Sequence, residues 1–304
     1  MGATITFKNL TIGYRSKHQL RAIASSICAS LQADELTCLI GANGVGKSTL
    51  LRTLAGFQPA LEGEILLSVK QAASSSSEVS KDYSSDVLED SSSHLSSKTS
   101  GKSLSAFSAQ ELARIIGVVL TSKPDAAQLT VKEVVGIGRS PYTNFWGTLS
   151  PTDHQIVDDA IQQVGIPHLT SRYIHELSDG ERQKVMIAKA LAQQTSIIIL
   201  DEPTAFLDFP SKVETLQMLR RLAHEQHKSI LLSTHDVELV LQLSDRLWLM
   251  EENHLSIGTP RELAADGSLS RFINRDGIRF NEQKMRIEFE TFHNSFPNPP
   301  VHPH

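Results

Sequence analysis

Apolar residues recur along this chain in two rhythms, and their succession predicts a mixed α/β protein. Residues 3–7 and 22–31 alternate roughly every second position, the period of strands with one buried face. Residues 36–40 form a short unbroken apolar run that predicts a strand entering a glycine-rich stretch. Residues 47–56 predict a helix, and residues 64–69 a further strand after a turn carrying Pro59 and Gly63. A helix near residues 108–114 and a strand at 115–120 follow. Thr130 with Glu133, and Ser150 with Asp153, read as capped helix starts, the second with Pro151 in its first turn, so residues 121–177 are expected to be mainly helical. Residues 196–200 and 229–233 are continuous β-branched or leucine-rich runs, the pattern of parallel strands covered on both faces. Between them Val213, Leu216, Leu219, Leu222 and Ala223 have helical spacing, so strand, helix and strand together predict a doubly covered parallel sheet. Residues 246–250 predict a last strand, after which the pattern weakens through short helices into a Pro- and His-containing tail expected to be disordered.

One segment breaks both rhythms. Of residues 71–100, 13 are serine, five are acidic and two are lysine, which leaves too few large apolar side chains to order the stretch. It predicts a flexible surface insertion, tolerable because loop-closure entropy grows only logarithmically with length. The rest of the composition is that of a globular protein: 304 residues, 40% hydrophobic and 21% charged, enough for a sizeable core. A formal charge of −5 gives no electrostatic reason to expect nucleic acid as a partner. No stretch approaches the ~18 apolar residues of a membrane span, and no N-terminal leader pattern is seen, which predicts a cytosolic chain. Cys28 and Cys38 lie in apolar runs at a spacing that fits no metal knuckle, and read as reduced core thiols.

Three motifs carry chemistry. Gly41-Ala42-Asn43-Gly44-Val45-Gly46-Lys47-Ser48-Thr49 has the phosphate-loop spacing and lies between a predicted strand and a predicted helix, where the mechanism needs it. Glycines let backbone amides turn inward around phosphate oxygens, and the helix N-terminus adds partial positive charge. Lys47 can neutralise the β and γ phosphates, and Ser48 can ligate Mg²⁺. The second motif, Ile197 to Glu202, is an apolar strand that delivers two carboxylates at its C-terminal end, where ligands of parallel sheets bind. Asp201 would serve Mg²⁺, and Glu202 would polarise an attacking water as general base. Alone, such a pair reads as a helix-capping turn; beside a phosphate loop it reads as hydrolytic. The third is Leu177-Ser178-Asp179-Gly180-Glu181. Ser178 and Glu181 have capping-box spacing, and a Ser/Gly helix start can also present an anion site.

With these motifs in order, the sequence resembles the nucleotide-binding subunits of ABC transporters over about residues 5–250. The resemblance implies a P-loop NTPase (RecA-like) α/β core with a parallel sheet, an antiparallel β subdomain and a helical subdomain. It implies an ATPase domain over residues 1–250, interrupted by the insertion at 71–100 and including the helical residues 121–177, with a C-terminal extension at 251–304. It also implies that Tyr14 stacks on adenine, that His235 contacts the γ-phosphate, and that Asp208 links two sites. The cofactors implied are ATP and Mg²⁺. The partners implied are transmembrane permease subunits, a second copy of the chain whose Ser178 and Gly180 close on the nucleotide, and indirectly a substrate-binding protein. The place implied is the cytoplasmic face of the membrane. Two positions depart from the family pattern: Asp179 puts an acid where glycine is usual, and Thr121, a further candidate metal ligand, stands where a glutamine should end a strand.

Gly138-Arg139-Ser140-Pro141-Tyr142, Trp146-Gly147 and residues 178–183 look like the importer subgroup for iron-siderophore, haem or cobalamin complexes, with Tyr142 and Trp146 as candidate permease contacts or as local packing. A soluble ABC ATPase of repair or translation is the alternative, against which stand a single phosphate loop and no heptad run. Deleting residues 71–100 is expected to leave ATP hydrolysis near normal, because no candidate site residue falls there. A phosphate-release assay showing a large loss would make the insertion structural.

Overall fold

The computed structural model describes residues 3–15, 19–69, 101–120 and 128–289. The insertion, Thr121 and the C-terminal tail lie outside the described residues. Strands β1 (Ala3–Arg15) and β2 (Leu20–Leu31) pair antiparallel, with register shifts near Leu10. Ser26 takes a left-handed backbone (φ 55°), which resets the in-out alternation of β2. Ile27 therefore points into the core and Cys28 is exposed, so the expectation of two core thiols holds for Cys38 alone. All six residues of β3 (Leu36–Gly41) are buried. Helix α1 (Lys47–Leu54) stops short of the predicted residue 56, because Gly56 turns left-handed (φ 77°). Strands β4 (Glu62–Val69) and β5 (Lys102–Ser103) complete a four-stranded antiparallel sheet of order β2-β1-β4-β5.

Next come α2 (Ala109–Ala113) and β6 (Ile116–Val119). Helices α3 (Val131–Gly136), α4 (Pro151–Gln163) and α5 (Asp179–Ala192) each start on a closed capping box, at Thr130, Ser150 and Ser178 respectively. The chain then alternates through β7 (Ile197–Leu200), α6 (Phe209–Glu225), β8 (Ser229–Ser233), α7 (Val237–Leu243) and β9 (Arg246–Glu251). Strand β9 is not the last, contrary to the sequence expectation. It turns into an antiparallel edge strand, β10 (His254–Gly258), followed by α8 (Pro260–Ala265), α9 (Ser268–Ile273) and a hairpin of β11 (Ile278–Asn281) and β12 (Arg286–Phe289).

The central sheet runs β10-β9-β3-β8-β7-β6, parallel throughout except for β10. Its apolar runs are continuous because each strand feeds two cores. Ile198, Leu200, Cys38 and Ile40 face the helical side with Val135, Val157 and Leu216. Ile197, Ile199, Leu39 and Leu231 face α1 and the antiparallel sheet. Phe7 and Trp248 meet edge to face at 5.7 Å and join the two sheets.

The helical segment is held to the core by a buried cation. Gly138 lies so close to α5 that a Cβ would stand 2.2 Å from the Lys189 carbonyl oxygen. That approach brings Arg139 inward to donate to Asp153 (2.8 Å), the Ala192 carbonyl (2.8 Å) and Gln194 (3.0 Å). Hydrogen bonds from the Ser150 hydroxyl, from Arg139 and from the Ser150 amide draw the Asp153 pKa down to about 2. Arg139→Met should lower the unfolding free energy by about 3–5 kcal/mol in a urea titration, since it strands a buried carboxylate. Asp153 titrates lower when folded than its ordinary 3.8, so the stability it supplies is complete above that pH and drains as pH falls towards 2. Asp153→Asn should remove that acid-dependent component, and an unchanged acid profile would contradict the assignment.

Candidate functional site

Three adjacent strands of the central sheet end on the same edge. Strand β3 lies beside β8, and β8 beside β7, all parallel. At about 4.8 Å per neighbour, the groups leaving β3 and β7 emerge about 10 Å apart with β8 between them. Strand β3 leads into the phosphate loop, β7 into Asp201 and Glu202, and β8 into Thr234 and His235.

In the loop itself, Gly46 has φ 115°, and a Cβ there would stand 2.7 Å from Ile23 Cγ2. A side chain would thus be strained twice over at the turn into α1. No side chain caps α1, unlike the capping boxes that open α3, α4 and α5, so its first amides remain available to an anion. The buried Lys47 ammonium donates to the Gly41 carbonyl (2.9 Å) and the Ala42 carbonyl (3.2 Å). Burial lowers its pKa, and the carboxylates of Glu202 and Asp201 oppose that shift. Thr49 and Tyr14 share a hydrogen bond of 3.1 Å between hydroxyls, which sets the half-exposed Tyr14 ring beside the first turn of α1. Asn43 and Gly44 lie exposed at the loop tip, and Val45 N–H closes back on the Ala42 carbonyl (3.4 Å).

Across the edge, Asp201 is buried and accepts hydrogen bonds from Ser48 (3.1 Å) and Ser233 (2.7 Å) on one carboxylate oxygen. Ser233 also accepts from the Glu202 amide (2.9 Å), so one hydroxyl ties β8 to both acidic residues. Glu202 has φ 51°, a left-handed backbone for a branched-free but bulky residue, held there by that amide bond. Such backbone strain costs about 1–3 kcal/mol and survives only where surrounding contacts enforce it. Its carboxylate lies 2.7 Å from His235 Nε2. Ser48 and Asp201 together form a hydroxyl and carboxylate oxygen pair suited to a hard divalent cation. No cluster of three or more His, Cys, Asp or Glu that could hold a metal occurs among the described residues.

The structure thus gathers Tyr14, Lys47, Ser48, Thr49, Asp201, Glu202 and His235 at one edge. Ser178, Gly180 and Asp208 make their contacts elsewhere. Ser178 donates from its amide (2.9 Å) and hydroxyl (2.8 Å) to Glu181, and the Glu181 amide returns a bond to the hydroxyl (3.3 Å). The Ser178 amide, then its hydroxyl, lowers the Glu181 pKa. Gly180 faces Leu207 and Ser211, at 3.7 and 3.8 Å from its would-be Cβ. Asp208 caps α6 by accepting from the Ser211 amide (3.2 Å). The departure at Asp179 is neutralised locally, since Arg182 donates to it (2.9 Å) and to the Leu177 carbonyl (2.8 Å).

Several residues at the site escaped sequence reasoning. Ser233 is one, and its signal was a polar residue closing an otherwise apolar strand. Asp236 is another: it accepts from Lys212 (2.8 Å) and Thr204 (3.1 Å), bracing the turn after β7 against the turn after β8. Tyr142, a candidate permease contact or local packing residue, is 38% exposed while three partners hold it. Arg139 lies 4.1 Å and Arg114 5.3 Å from its ring, and its hydroxyl donates to the Gln193 carbonyl (3.1 Å). Trp146 and its neighbour Phe145 are 84% and 95% exposed, so the free aromatic surface of this segment is theirs.

A phosphate loop, a paired carboxylate at a strand end and a histidine just after the strand between them define a P-loop nucleotide hydrolase. Comparison with known proteins narrows that class. Residues 25–205, more than half the chain, match the ABC transporter family. The achromobactin transport ATP-binding protein CbrD of Dickeya dadantii is 32% identical over 90% of this chain and 88% of its own length. The iron(3+)-hydroxamate import ATP-binding protein FhuC of Bacillus subtilis is 31% identical over 79% and 76%. Among solved structures, cbiO1 of Clostridium perfringens, part of the ABC transporter complex cbiONQ, superposes with a TM-score of 0.65 at 26% identity over 89% of this chain and 94% of that one. The chain belongs to the ABC transporter family, as an ATP-binding ATPase subunit.

Proposed function

We propose that this chain energises an importer for iron-siderophore, haem or cobalamin complexes, working as a homodimer at the cytoplasmic face of the membrane against transmembrane permease subunits. The observation that carries the hydrolytic part is the Ser48, Asp201, Ser233, Glu202 and His235 constellation on one strand edge. The importer part rests on the two transport relatives and on the motif run from Gly138 to Gln183. Among the described residues no helix is long and apolar enough to cross a membrane, so transport by this chain calls for a membrane partner. The ATPase domain would span residues 1–250, with residues 121–177 as the permease-facing helical part and 251–304 as an extension.

In this proposal ATP lies along the phosphate loop from Gly41 to Thr49, with adenine against Tyr14. Lys47 exchanges its two neutral carbonyl partners for anionic phosphate oxygens, which turns its hydrogen bonds into stronger ion-paired ones. Ser48 and Asp201 would hold Mg²⁺, which neutralises charge on the β and γ phosphates when bound; Thr121, the third candidate, lies outside the described residues. Glu202 orients and polarises the attacking water, and His235 holds that carboxylate and faces the γ-phosphate. Ser178 and Gly180 of the second copy close the site, with Asp208 between the two halves. A substrate-binding protein would act on the far side of the permease.

Glu202→Gln should bind ATP normally, lose at least about a hundredfold in turnover, since general-base catalysis contributes about 10²–10⁴, and accumulate as an ATP-loaded dimer on gel filtration. Undiminished phosphate release would remove Glu202 from the role of base. Detergent extraction followed by affinity purification should recover a multi-span permease with this chain, whereas recovery with ribosomes or DNA would favour the soluble alternative.

A further inference from the structure

The hairpin β11-β12 was not foreseen, and the proposed function gives it no task. Its inner side packs on the helical-side core through Phe280, Ile278 and Ile287. Its last residue behaves differently: Phe289 is 71% exposed, on the same side of β12 as Ile287. Phe289, Ile287, Phe209 at the start of α6 and residues 235–239 line a groove of about 370 Å³. Phe209 is itself 67% exposed, and Phe206, three residues earlier, 77%.

We propose that this groove is an interface for a second copy of this chain, in which the C-terminal hairpin extends the nucleotide-closed dimer through Phe209 and Phe289. The inference rests on the homodimer reading above. Continuity argues for that occupant: the groove contains His235, which is bonded to Glu202, and Phe209 directly follows Asp208, the residue placed between the two halves. Exposed aromatic residues gathered around a groove mark an association surface more often than chance scatter does. Under two-fold symmetry each copy would make the same contact with the other, so the patch is used twice per dimer.

Size explains why the contact would be conditional. A fully buried aromatic side chain removes roughly 150–250 Å² from water, so Phe209 and Phe289, already partly covered, offer on the order of 500 Å² across both copies. That falls below the roughly 1,200 Å² of a stable interface. The hairpin patch would therefore add to a contact that ATP initiates and would not hold two copies together without nucleotide.

The test uses the full chain carrying Glu202→Gln, with Mg²⁺ and ATP. Phe289→Asp should raise the dimer dissociation constant at least about tenfold in sedimentation equilibrium, while Phe289→Leu keeps most of the affinity and ATP binding to the monomer is unchanged. In a Cys28→Ser background, maleimide labelling of Phe289→Cys should be fast without nucleotide and slowed at least about tenfold with ATP, a readout that does not depend on tolerance of the aspartate. Unchanged dimerisation of Phe289→Asp with an unprotected label would overturn the proposal. Slow labelling before ATP is added would overturn it as well, since the groove would then be covered by the chain's own residues 290–304. A parent that binds ATP without dimerising would fell the homodimer reading and this contact together, whereas a parent that dimerises with Phe289→Asp indifferent would fell this contact alone.

Discussion

A carboxylate removed from water must be satisfied by the protein around it, and at Asp201 that requirement organises the whole strand edge. Its hydroxyl partners come from two different places, Ser48 on α1 and Ser233 at the end of β8. Because β8 lies between β3 and β7, the two bonds lock the three strand ends into one register. The phosphate loop, the acidic pair and the histidine are then at fixed distances before any ligand arrives. Preorganisation of this kind is what lets small groups act on a phosphoryl centre without reorganising during the reaction.

The same economy appears in how the polar groups are occupied. Lys47 is held by two loop carbonyls, Ser178 by Glu181, Asp179 by Arg182, and Glu202 by His235. Lys47 would exchange its carbonyl partners for those of a triphosphate, whereas the uncapped first amides of α1 would gain new ones. Two acids in the first turn of α5 complement the helix dipole and quieten a turn that would otherwise attract anions indiscriminately.

Much of this was legible in the sequence where a physical signal was strong. The unbroken runs at β3, β7 and β8 declared buried parallel strands, and the capping boxes at Thr130, Ser150 and Ser178 declared helix starts. The failures came where the signal was short or local. Strands β11 and β12 are four residues each and mix charge with apolar side chains, too brief for a period of two to stand out. A single left-handed residue, Ser26, moved Cys28 out of the core, and nothing in the residue type announces that turn. The hold on Tyr142 was not legible because Arg114 and Arg139 come from distant or curled segments that only the fold brings together. At the site, motif residues were visible as motifs, whereas Ser233 and Asp236 act by bracing others, a role that a polar residue at or after a strand end announces only weakly.

The backbone of Glu202 has a consequence for inheritance. With φ at 51°, the position would suit glycine or asparagine better than glutamate, so conformational energy alone favours replacing it. Drift at this codon would run towards a sturdier chain, since the substitutions that relax the turn also discard the carboxylate. On the proposal that Glu202 is the base, only continued demand for turnover would hold the glutamate in place. A copy of this gene released from that demand would then be expected to lose the carboxylate early while its fold persisted.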